Sequence, residues 1–109
     1  MAYTPIPAPS DLADSGRALW LEVTTGYVID TEADRLQLPQ LCRTADLCDT
    51  LHAVVLEQGP LAESSQGIRT HPAVVELRHQ RVVLARLLVA LGVPSQTESA
   101  RGVYAIRGV

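Results

Sequence analysis

The sequence contains no lysine and no phenylalanine. All nine basic residues are arginines, and 12 acids leave a formal charge of −3. A net negative chain lacks the broad basic surface that nonspecific binding to a polyanion requires. Phosphate can therefore be met only by local Arg sites, or by sites that symmetry repeats. Aromatic rings are scarce: Tyr3, Trp20, Tyr27 and Tyr104. A core without Phe must be assembled from Leu, Val and Ala, which favours helices packed on helices. No apolar run approaches the roughly 18 residues of a membrane span, and the start has no basic-then-apolar leader pattern. The expectation is a cytoplasmic chain with no membrane partner.

Cysteine is limited to Cys42 and Cys48. Six residues of helix would set them about 120° apart in angle and about 9 Å apart in rise, too far to bridge each other. They read as small core residues of a reducing compartment, with intermolecular pairing or metal ligation as the alternatives. Catalytic patterns are absent as well. The stretch Ser64-Ser65-Gln66-Gly67 lacks the Lys and following Ser or Thr of a phosphate loop. There is no strand-to-helix nucleophile turn. His52, His71 and His79 do not share a ligand spacing. Asp46 and Asp49 share a helix side with Arg43, which fits a solvated charged face better than a carboxylate dyad. No enzyme activity, no cofactor and no metal site are expected.

What is present is helical patterning. At 109 residues the chain is one domain. Residues 1–9 carry Pro5, Pro7 and Pro9 and read as an extended Pro-rich arm, either free or laid on a neighbouring subunit. Residues 10–94 form the helical oligomerisation domain, and residues 95–109 a flexible C-terminal tail. A first helix over residues 10–24 is capped by Ser10 or Asp11 and anchored by Trp20. A second helical region over residues 31–58 is capped by Asp30 or Thr31. Pro39 should kink it or split it. Leu38, Leu41, Ala45, Cys48, Leu51 and Val55 recur at helical spacing, and Gly59-Pro60 ends the element. The polar stretch Ser64–Gly67 predicts a small β-hairpin. The last helix opens at Pro72, with His71 helping to cap it, and closes at Gly92 and Pro94.

Fold class follows: mainly α, an antiparallel pair of long helices with a short N-terminal helix and a small β-hairpin between the long pair. The last helix carries VVLARLLVAL over residues 82–91, with Arg86 its only polar member. A helix apolar all round needs cover on every side. So small a chain cannot supply it, so the excess marks an interface. Val82, Val83, Leu84, Leu87, Leu88 and Leu91 are the expected contact residues of a ring-forming oligomer.

An ordered set of motifs carries a family resemblance. GRALW opens the first helix, and LCRTADLCDTL lies on the long central one. A small loop with Gly67 follows, and then THPAVVELRHQRVVLARLLVALGVP. Over residues 10–94 the chain resembles the small terminase subunits of tailed bacteriophages. Pro72 and Gly92-Val93-Pro94 match that family's helix boundaries. Arg43, Arg78, Arg81 and Arg86 match its basic positions. Pro39 and the acidic net charge depart from its pattern. The resemblance implies a non-enzymatic DNA-packaging factor. Such a factor forms a closed ring, binds double-stranded viral DNA and recruits and regulates the large terminase subunit, which carries the ATPase and nuclease. It implies residence in the cytoplasm of the bacterial host and absence from the mature virion. A ring would turn each Arg into a circle of Args, and Arg35, Arg43, Arg78 and Arg81 are the DNA-binding candidates. Val103, Tyr104 and Ile106 in the tail are the candidates for docking on the large subunit. The alternatives are a head–tail connector or other ring-forming phage assembly protein, and a small dimeric helical regulator.

Overall fold

The computed structural model describes residues 6–93. The arm before residue 6 and the tail after residue 93, with Val103, Tyr104 and Ile106, lie outside them. The order is helix α1 (Asp14–Gly26), helix α2 (Glu32–Gln58), strand β1 (Leu61–Ser64), strand β2 (Gly67–Thr70) and helix α3 (Pro72–Ala90). The chain is mainly helical with a two-stranded antiparallel hairpin between the long helices, as the sequence predicts.

Each long helix starts and stops where local chemistry directs. Thr31 caps α2, its hydroxyl accepting the Asp34 amide at 3.1 Å. Gly59 ends it at φ +83°, a left-handed value that a side chain would strain. β1 and β2 pair from Leu61 with Thr70 to Ser64 with Gly67. The Ser64 hydroxyl closes the turn, donating to the Gly67 carbonyl at 2.8 Å. At the base of the hairpin the His71 amide donates to the Pro60 carbonyl at 2.8 Å. The His71 ring then caps α3: Nδ1 accepts the Ala73 amide at 3.0 Å, and Nε2 meets Gln58 Oε1 at 2.7 Å. One imidazole thus ties the end of α2 to the start of α3. The other end of α3 closes as a Schellman motif. Gly92 takes φ +74°, its amide donates to the Val89 carbonyl, and the Val93 amide donates to the Leu88 carbonyl at 2.9 Å. Val93 is folded back into the core by this turn.

Two expectations are corrected. α2 is not split at Pro39; the residue sits inside a continuous helix. Leu38, Leu41 and Cys42, on both sides of it, are among the most deeply buried residues, and that burial outweighs the lost backbone hydrogen bond. The first helix begins at Asp14, not at Ser10, and neither Ser10 nor Asp11 caps it. Ala13 stands at the cap position with no side-chain cap of its own. Asp46 of α2 supplies one instead, accepting the Ala13 amide at 2.8 Å and the Gly16 amide at 2.7 Å. Ser15 donates to Asp49 beside it. Asp46 and Asp49 are therefore turned toward α1 rather than to water alone.

The core lies where the three helices meet. Leu12, Trp20, Val23, Leu38, Leu41, Cys42 and Val93 form it, and Leu84, Leu87, Leu88 and Leu91 pack against it half-buried. Trp20 anchors α1 and donates its indole N–H to the Ile6 carbonyl at 2.9 Å, holding the end of the arm down. Because the end of α3 lies against the first half of α2, while its start is tied to the end of α2, the two long helices run antiparallel.

Candidate functional site

Nothing among the described residues gathers a metal-binding set of three or more His, Cys, Asp or Glu side chains. Cys42 is fully buried, and burial together with the nearby Asp46 charge pushes its thiol up to about 11. A thiol held in that form is a poor nucleophile at neutral pH. Cys48 is shifted up by burial as well. Both cysteines are free.

An open groove of about 1020 Å³ runs along α3, with His52 and Val55 of α2 also lining it. Val55, Pro60, Val74, Leu77, Val82, Ala85 and Val89 make its apolar floor, and His52, Arg78, Arg81 and Arg86 line it with polar groups. Among the described residues no carboxylate lines it. The spacing of Val74, Arg78, Val82, Ala85 and Val89 places them on one side of α3. It adjoins the side formed by Ala73, Leu84 and Leu91, which faces α2 and the core, and the buried Leu77 stands at the border of the two. α3 therefore bears two apolar stripes, one satisfied inside the protomer and one left open.

This geometry divides the interface candidates. Leu84, Leu87, Leu88 and Leu91 pack on their own protomer's core. Val82 and Val83 are exposed, at 46% and 39%. Val89, which the sequence did not single out, is exposed at 67% and belongs to the groove. On α2 a second apolar surface stands open: Leu36 and Leu47 are exposed, and eleven residues put them three turns apart on one side.

The arginine candidates are divided in the same way. Arg43 is engaged by Asp11, with Nε 2.8 Å and Nη2 3.3 Å from its two carboxylate oxygens. The guanidinium holds the Asp11 carboxyl below its ordinary 3.8, chiefly through that hydrogen bond. Arg35 lies 3.9 Å from Glu32 across one turn, an exposed pair of little energetic weight. Arg78 and Arg81 form no ion pair among the described residues and stand together in the groove. Arg86 joins them there. Spacing alone placed Arg78 and Arg81 on a common side; it could not show that an apolar floor lies between them. No family model, no curated protein and no solved structure matches this chain.

Proposed function

We propose that the protein is a phage DNA-packaging factor of the small-terminase type, a subunit that works as a closed collar of identical copies. In this reading the collar binds double-stranded viral DNA through repeated arginines and recruits and regulates the large ATPase-nuclease subunit. It acts in the cytoplasm of the bacterial host and leaves before the virion matures.

One observation carries the reading. Twelve large apolar side chains are exposed among the described residues, while ten apolar residues are buried. Single exposed Leu or Val residues mean little, since much of any protein surface is apolar. Here seven of the twelve lie on the two long helices, with Val75, Val82 and Val89 in line along α3, and a protein with so small a core gains burial from further copies of itself. The groove arginines support the nucleic-acid part. Among the described residues of one protomer they have no acidic partner, so positive charge is concentrated along this side of α3 despite the acidic total.

Native mass spectrometry of the full chain tests the collar, and gel retention of duplex DNA at low salt tests the nucleic-acid role. The expected results are a single species several times the 11.8 kDa chain mass and a retained duplex released by added salt. Replacing Arg78 and Arg81 together by Gln weakens retention. A wild-type chain that stays single, or one that ignores duplex DNA at low salt, overturns the proposal. Co-purification with mature particles would shift the reading to a head–tail connector.

A further inference from the structure

We infer that copies of this chain join head to tail, the outward side of α1 of one protomer lying in the Arg-lined groove of α3 on the next. The inference rests on the collar reading above and names the two surfaces that close it. Charge points to this occupant. α1 holds two carboxylates, Asp14 and Glu22, against one arginine, Arg17, while α3 holds one carboxylate, Glu76, against Arg78, Arg81 and Arg86. Opposite poles at two places in one sequence favour different patches meeting, not one patch meeting its own copy. A heterologous contact of that kind closes into a ring when its rotation allows.

Spacing makes the match specific. On α1 the exposed residues Asp14, Ala18, Leu21 and Glu22 advance by four, three and one. On α3 the exposed residues Arg78, Val82, Ala85 and Arg86 advance by the same steps. Both sets follow one side of a helix over about 12 Å. The side chains of Asp14, Glu22, Arg78 and Arg86 form no hydrogen bond or ion pair among the described residues. Set antiparallel, Asp14 meets Arg86 and Glu22 meets Arg78. Ala18 then faces Val82, and Leu21, exposed at 60%, settles between Arg78 and Val82. The 13 residues of α1 span about 20 Å, and the groove from Val74 to Ala90 runs about 24 Å, so the whole helix fits. Arg78 and Arg86 are consumed by this contact, and Arg81 remains for the duplex.

Charge reversal tests it, read by native mass spectrometry with circular dichroism as the check on helix content. One variant carries Asp14→Arg with Glu22→Arg; another carries Arg78→Glu with Arg86→Glu. Each sets like charges across the contact, and each is expected at the mass of a single chain. A chain with all four substitutions restores opposite charges and is expected at the wild-type assembled mass, as is an equimolar mixture of the two variants where the ring size is even. If a reversed pair loses helix content, the neutral pair Asp14→Asn with Glu22→Gln replaces it. The assembled fraction is then expected to fall about tenfold, corresponding to about 1.4 kcal/mol, and an unchanged fraction overturns the inference. Reversed pairs that stay assembled, or a helical four-substitution chain that stays single, overturn it too and leave the collar standing. A wild-type chain found single brings down both.

Discussion

Gly16 sits where α1 comes closest to α2, and Gly16→Ala is the sharpest probe of that contact. A β-carbon at this position would run into the Asp46 carboxylate and lie 2.8 Å from the Cys42 backbone oxygen. Asp46 can swing aside, but it then surrenders the amides of Ala13 and Gly16, which it holds at 2.8 and 2.7 Å. Losing a helix cap of this kind costs about 1–2 kcal/mol. The Cys42 carbonyl belongs to a helix and cannot swing, so α1 must also lift off α2. Overpacking of that sort costs about 1–3 kcal/mol. Ala gains back about 1 kcal/mol over Gly in helix propensity. The net loss is about 1–4 kcal/mol, a large share of the stability of so small a domain. Urea titration followed by circular dichroism measures it, at one fixed protein concentration because self-association adds to apparent stability. A thermal melt followed by the same signal should show a fall in melting temperature of at least about 4 °C. Gly26→Ala is the control: nothing lies within 4 Å of its added carbon, and it should melt no lower than wild type. A Gly16→Ala chain as stable as wild type would refute the close approach of α1 and α2 at Asp46.

Further outcomes follow from other contacts. Trp20→Phe keeps most of the buried ring but loses the bond to the Ile6 carbonyl, and should cost about 1 kcal/mol in urea titration. His71→Ala removes the cap of α3 and should cost about 1 kcal/mol, while His71→Asn, which can also cap, recovers part of it. With the raised thiols of Cys42 and Cys48, alkylation at neutral pH should be slow in the native protein and fast in urea; rapid native labelling of Cys42 would contradict its burial. Asp11 has a folded-state value held below 3.8 by Arg43, so the pair's contribution is present above 3.8 and lost as pH falls through the lowered value. Carboxyl-carbon NMR of Arg43→Gln should show the Asp11 titration moved upward; no movement would deny the pairing.

The hairpin and both ends of α3 were legible because their signals are local. Gly59-Pro60, the Ser64–Gly67 turn, His71-Pro72 and Gly92 each act on residues within a turn of themselves. Pro39 left open whether α2 would be split, because its cost is local while the burial that keeps the helix continuous comes from α1 and α3. The start of α1 was displaced for the same reason: its cap comes from Asp46, and no pattern near Ser10 or Asp11 announces that. The site was legible in its residue types only. Arg78 and Arg81 could be placed on one side of a helix by counting. Which apolar stripe of α3 turned inward depended on where α2 lay. Leu84, Leu87, Leu88 and Leu91 filled the protomer, and the valines beside the arginines were left outside.

The borrowed cap has a kinetic meaning. The first turn of α1 takes its acceptors from a residue 33 positions further along, so it has no reason to persist before α2 is formed and docked. The hairpin of α2 and α3, closed by short-range bonds, is the unit that can condense first. In native-state hydrogen exchange, the amides of Ala13 and Gly16 should open with the undocking of the whole of α1, as one cooperative segment, while the amides of α2 stay protected. The helix with the acidic outward side is thus the least independent piece of the protomer and the first that a rising temperature would set loose.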